Sequence, residues 1–202
     1  MKKLFITIAF VAAAMFAQAQ FFIGGSLGMD YTKAKLNSTD VAKVFSWDVT
    51  PSVGFMFNDK MGVGLDLGIG MITETNLITD DKENITVWAV APYFRYVFAE
   101  VDNFKFYADA KVAFGGGKPR IKVDNSWNAT GIKATYFGAG IVPGMAYMLT
   151  DNISMNCTLN ILSLGFKQNK ITGDNDFEYQ QTEFDFGVND STPIEIGFFY
   201  TF

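Results

Sequence analysis

Residues 62–71 read GVGLDLGIGM. Val63, Leu65, Leu67, Ile69 and Met71 take every second position, and Gly62, Gly64, Asp66, Gly68 and Gly70 take the others. A β-strand turns successive side chains to opposite faces, whereas a helix would scatter these apolar residues around its circumference. The stretch therefore predicts a strand with one wholly apolar face and one face of glycines and a single carboxylate.

The same period of two recurs on both sides of it, over 21–31, 45–57, 88–98, 104–114, 137–147, 153–161 and 194–202, which makes eight segments. Trp47, Val49, Val53 and Phe55 alternate with Asp48, Thr50, Ser52 and Gly54. Trp88, Val90, Phe94, Tyr96 and Phe98 alternate with Ala89, Ala91, Tyr93, Arg95 and Val97. Short polar turns are expected at 58–60, 99–103 and 149–152, and long polar loops at 32–44, 72–85, 116–133 and 167–191. Short connections at one end and long ones at the other are the plan of an up-and-down transmembrane barrel, the short ends facing the periplasm. An even strand number places both ends of the domain on that side. Pro51, Pro92 and Pro143, each ahead of an apolar stretch and a short turn, mark a weak hairpin-sized repeat.

A soluble eight-stranded barrel such as a lipocalin would turn the apolar face inward and carry a ligand there. Three features favour the inverse. Aromatic residues concentrate near the short turns (Phe55, Phe57, Phe94, Tyr96, Phe104, Tyr200) and again near the long loops (Tyr31, Trp47, Trp88, Phe137), with aliphatic residues between. Two aromatic belts around an aliphatic band match the two faces of a bilayer. The opposite face is small, as a narrow lumen requires. Finally, an open sheet would expose two unpaired edges to lipid, so the segments should close into a ring.

The N-terminus carries a different signal. Lys2 and Lys3, an apolar stretch over 4–16 and Ala17-Gln18-Ala19 have the form of a secretory signal peptide at 1–19, cleaved before Gln20, with the barrel domain over 20–202. Charged residues are 18% of the chain, below the roughly 25% of soluble domains, and aromatics reach 16%. The formal net charge of −5 lacks the basic footprint that nucleic acid needs, so no nucleic-acid partner is expected. Cys157 is the only cysteine, which leaves no intramolecular disulfide to form. Beyond the N-terminus no apolar run approaches the roughly 20 residues of a membrane-crossing helix.

With these segments in place, the chain resembles the small eight-stranded outer-membrane barrels of the OmpX and OmpA membrane-domain type. The likeness is carried by the alternating segments, by PYFRY at 92–96 and by GFFYTF at 197–202. It implies that Phe198, Tyr200 and Phe202 form a C-terminal insertion signal read by the barrel-assembly machinery. It also implies residence in the outer membrane among its lipids and lipopolysaccharide. No segment follows that would bind peptidoglycan, so a cell-wall tether is not expected.

Six charged residues fall on the inner face: Asp66, Arg95, Lys105, Asp109, Lys111 and Glu195. Charges in a narrow lumen are costly unless paired, so a network of opposite signs is expected there. Its plain reading is a structural plug, and its sharper one a gated polar path. Barrel enzymes generally resemble one another in using a histidine as base. This chain has none, and Cys157 is expected to face lipid, so no enzyme is expected. No cofactor or metal motif is apparent, since the acidic loop with Asp174, Asp176, Glu178, Glu183, Asp185 and Asp190 lacks the spacing of a calcium loop. That loop and the basic one before it (Lys118, Arg120, Lys122, Lys133) read as solvated surface or as a docking face for a protein or glycan. The alternation of Phe184, Phe186 and Val188 suggests that the last two strands continue past the membrane as a ribbon with a free edge. The leading function is a non-enzymatic surface barrel serving envelope structure or adhesion, with a narrow solute channel as the alternative.

Overall fold

A computed structural model describes residues 20–36, 39–77, 81–123, 126–159, 162–172, 178–188 and 194–202. The expected signal peptide at 1–19 lies outside the described residues, as do Asp174, Asp176 and the 190–193 interruption. In chain order the strands are β1 (Gln20–Leu36), β2 (Thr39–Met56), β3 (Met61–Asn76), β4 (Lys82–Val101), β5 (Phe104–Val123) and β6 (Ser126–Ala129). They continue with β7 (Lys133–Met148), β8 (Ile153–Leu159), β9 (Leu162–Thr172), β10 (Glu178–Val188) and β11 (Ile194–Thr201).

Antiparallel pairing runs from β1 through β2, β3, β4 and β5 to β7, then to β8 and β11, and returns from β11 to β1. The eight staves thus close on themselves, as the cost of an unpaired edge in lipid demands. The seam is made by Phe22↔Thr201 through Leu27↔Ile196. Phe202 adds a bond from its amide to the Phe21 carbonyl at 2.8 Å.

Short turns hold the end of the barrel where Gln20 and Phe202 also lie. The Asn58 side-chain oxygen accepts hydrogen bonds from the amides of Lys60 and Met61, both at 2.9 Å, and closes the β2–β3 turn. Thr150 Oγ1 accepts from the Ile153 amide at 3.0 Å in the β7–β8 turn. The turn expected over 99–103 is tighter than the sequence implied: β4 continues to Val101, and Asp102 alone enters the left-handed region, at φ 51°. A bulge between Val97 and Ala99 absorbs the extra residue.

The other end departs from expectation. The segments read as long loops are largely strand, for β4 and β5 each run 20 residues. A barrel strand crosses a bilayer in about 9–11 residues, so roughly half of each of these strands stands beyond it. β9 and β10 form the anticipated ribbon from Glu178↔Thr172 to Val188↔Leu162, backed by β7. Beyond Leu27, β1 is paired with β2 alone among the described residues, so β1 and β10 present edges in this outer wall. Of the strand expected over 153–161, residues 153–159 form β8 and 160–161 lie outside the described residues. β9 follows, meeting β7 in a register that differs from that of β8 by three residues, with Gly144↔Thr158 below and Gly140↔Gly165 above.

The faces follow the alternation. Ile23, Leu27, Met29, Ile69, Trp88, Phe98, Ile196 and Phe198 are all more than half exposed. Around the short-turn end, Phe21 meets Phe55, Phe55 meets Phe57, Phe104 meets Tyr147 and Tyr200 meets Phe202, at ring separations of 5.9, 4.9, 4.8 and 4.9 Å. This near-continuous aromatic belt suits a lipid–water interface. The buried residues, Ser52, Asp66, Tyr93, Val97, Tyr107, Asp109, Ala146 and Asn156 among them, belong to the opposite face.

Candidate functional site: the charged lumen

Inside a narrow barrel a large side chain must lie flat against the wall, and the wall must leave room for it. Tyr93 is the register partner of Gly64, and Tyr107 that of Gly144. A Cβ on either glycine would overlap the tyrosine ring facing it. Phe22 over Gly54 and Phe199 over Gly24 repeat the device nearer the short-turn end. Glycine on one strand and an aromatic opposite therefore share one layer of lumen.

On this aromatic floor sit two ion pairs. Arg95 Nε and Nη2 donate to the two carboxylate oxygens of Asp109, both at 2.8 Å. The guanidinium lies 3.8 Å from the Tyr107 ring centre and 5.3 Å from that of Tyr93. Lys111 Nζ donates to Asp66 Oδ2 at 2.7 Å and stands 5.4 Å from the Tyr93 ring centre. Ser52 Oγ donates to the other Asp66 oxygen. Asp109 is 3% and Tyr107 1% exposed, so these two are shut off from solvent. A forked guanidinium matched to both oxygens of one carboxylate fixes geometry as well as charge.

Four of the six sequence candidates thus meet in two pairs. Glu195 lines the same mid-barrel cavity of about 140 Å³ as Asp66 and Lys111. Lys105 does not join them. It lies past Tyr107 toward the short turns, half-buried at the mouth, where its ammonium is 3.6 Å from Glu100. The bulge at Val97 brings Glu100 opposite Lys105, and local pairing wins over the distant network.

The tyrosines were not singled out from the sequence, although they stand out as bulky residues on a face otherwise built of small and charged ones. Phe22, Phe199 and Ser52 carried no comparable signal. Cys157 is opposite Met145 and Ile196 on the outer face.

The lumen is divided by these groups. A chamber of about 220 Å³ opens at the short-turn end and includes Lys105 and Asp59. Arg95, Tyr107, Asn156 and Phe199 line both it and the mid-barrel cavity, and so stand between them. Beyond Thr50, Gly68 and Ala89 a third cavity, about 530 Å³, opens toward the long-strand end.

An apolar outer surface, a closed antiparallel ring and a charged interior define a membrane-spanning β-barrel of the outer-membrane class. Residues 4–189 match the family described as outer membrane protein beta-barrel domain, and the chain belongs to that family. It is accordingly a protein of the outer membrane, set among its lipids. An uncharacterized protein of Haemophilus influenzae is 24% identical over 161 residues, covering 79% of this chain and 88% of that protein. Among solved structures the chain is similar to Neisserial surface protein A, at 16% identity, 91% and 99% coverage of the two chains and a TM-score of 0.43. OprG from Pseudomonas aeruginosa matches at 18% identity, 91% and 95% coverage and a TM-score of 0.48. Ail of Yersinia pestis matches at 13% identity, 91% and 97% coverage and a TM-score of 0.40.

Proposed function

We propose that this protein is a non-enzymatic surface barrel that contributes to envelope structure and binds partners through the strand wall beyond the membrane, while its lumen stays closed to ions. The observation that carries this reading is the partition itself, the Arg95–Asp109 pair laid on the Tyr107 ring. The absence of histidine from the sequence deprives a serine or cysteine nucleophile of its usual base. Lipopolysaccharide and a protein or glycan ligand are the partners this reading assigns to the outer wall. Phe198, Tyr200 and Phe202 turn outward at 57%, 44% and 72% exposure, which suits their proposed role as an insertion signal for the barrel-assembly machinery after removal of residues 1–19.

Conductance decides between this reading and a solute channel. Residues 20–202, refolded and reconstituted in a planar bilayer, are expected to give no sustained channel current. Arg95→Ala with Tyr107→Ala is expected to open one. Steady ion-selective current from the unaltered barrel would establish the channel instead.

A further inference from the structure

The cavity at the long-strand end differs in chemistry from the rest of the lumen. Ile85, Val87, Ala134, Ile171 and Tyr179 line it together with bare glycine backbone at 115 and 117. Its volume of about 530 Å³ lies within the range of small-molecule sites. Its wall is therefore largely apolar, unlike the charged layers beneath it.

Among the described residues two charged side chains reach that wall, Asp48 from the inner face of β2 and Lys170 from β9. Asp48 is the register partner of Gly28, and its carboxylate lies over the Gly28 backbone where a Cβ would collide with it. Gly28 is the first residue of β1 past the last β11 pair, at Leu27. Among the described residues, the hydrogen bond Asp48 receives is a long one, 3.5 Å from Thr50 Oγ1, and no cation is within ion-pair distance. Of the described cations, Lys111 is committed to Asp66 at 2.7 Å and Lys170, which also lines the cavity, to Glu178 at 2.9 Å. The other lumen carboxylates of the ion-pair layer, Asp66 and Asp109, each hold a cation.

A carboxylate with no described cation at ion-pair distance, set in a largely apolar chamber, is complementary to a small molecule that brings both an apolar body and a positive head. The geometry points to this outer chamber as a binding site for a small amphipathic amine, its ammonium on Asp48 and its hydrocarbon or aryl body against Val87, Ala134 and Ile171. The site is separate from partner binding by the outer wall and does not depend on it. Nor does it need conduction, because the ion-pair layer lies beneath it, past Thr50, Gly68 and Ala89.

Three probes of equal length and different charge isolate the two parts of the site: hexylamine, hexanol and hexanoate. The full mature barrel, residues 20–202, is placed in nanodiscs of zwitterionic lipid, and binding is read by calorimetry with empty nanodiscs subtracted. Hexylamine is expected to bind at least about fivefold more tightly than hexanol, the scale of a modest ion pair, and hexanoate more weakly still. Asp48→Asn should erase the difference between amine and alcohol while leaving hexanol binding in place. Val87→Trp, and independently Ala134→Phe, should fill the chamber and weaken both. Heat-dependent gel mobility checks that each variant has folded. Equal binding of amine and alcohol by the unaltered barrel, or an amine preference that survives Asp48→Asn, would overturn the proposal. So would an absence of saturable binding, or binding indifferent to both chamber-filling variants.

Discussion

Tyr107 is held between a glycine that makes room for it and a guanidinium that covers it. Gly144 lies beneath the ring, and Arg95 lies 3.8 Å from its centre on the lumen side. Gly144→Val should therefore push the ring into the ion-pair layer and cost about 1–3 kcal/mol, the usual scale of overpacking. Urea unfolding in lipid vesicles measures this, and Tyr107→Ala in the same chain should recover part of the loss. The ion pair predicts a sharper asymmetry. Asp109→Asn leaves a buried guanidinium without its counter-charge and should cost about 3–5 kcal/mol, whereas replacing both partners, Arg95→Met with Asp109→Leu, should cost much less. If the double replacement is as unstable as the single one, charge pairing is not what holds this layer. Tyr93 offers the converse case. Its hydroxyl is buried with no hydrogen-bond partner among the described residues, so Tyr93→Phe should be neutral or stabilise by up to about 1 kcal/mol.

At the scale of elements, each strand in the membrane has two faces with different solvents, and substitutions should respect that division. Ile69 is 59% exposed on β3, between glycines that face the lumen. Ile69→Arg should cost about 2–4 kcal/mol if it sits near the bilayer midplane and less toward either interface. A loss below about 1 kcal/mol in the same vesicle assay would place Ile69 near an interface and not at the midplane. The tight β4–β5 turn makes a second prediction. Asp102 tolerates the left-handed backbone because its short polar side chain suits it, while a β-branched residue does not. Asp102→Val should cost about 1–2 kcal/mol and slow hairpin closure, and Asp102→Gly should change stability by less than that. Both are read from refolding into vesicles followed by gel mobility.

The whole molecule is a short membrane barrel carrying a tall wall of strands in water. The wall's outer sheet ends at β10 and at β6, and β1 above Leu27 lacks a partner on its β11 side among the described residues. Outer strands held only by hairpin pairing should exchange amide hydrogen faster than the ring below them. Hydrogen exchange in nanodiscs is expected to show protection in β3, β4 and β5 near Asp66, Arg95 and Asp109, and fast exchange over Glu178–Val188. Uniform protection along the whole of β10 would mean that its free edge is covered in the membrane-bound state.

The sequence by itself determined the eight staves, their outward and inward faces, the short-turn end and the placing of Asp66, Arg95, Asp109 and Lys111 on the inner face. It could do so because lipid outside and a narrow lumen inside impose opposite demands on alternate residues, and GVGLDLGIGM obeys them at every position. The same reasoning explains where reading stopped. Above the membrane both faces of a strand meet water, so stretches such as ITETN at 72–76 lose their hydrophobic period while the backbone goes on pairing, and they read as loop. Register was likewise out of reach, and register is what put Tyr107 over Gly144, matched Arg95 to Asp109 and Lys111 to Asp66, and sent Lys105 to Glu100 instead. Only the closed tertiary structure decides which inward residues share a layer, because in a barrel that choice depends on the stagger of all eight staves at once.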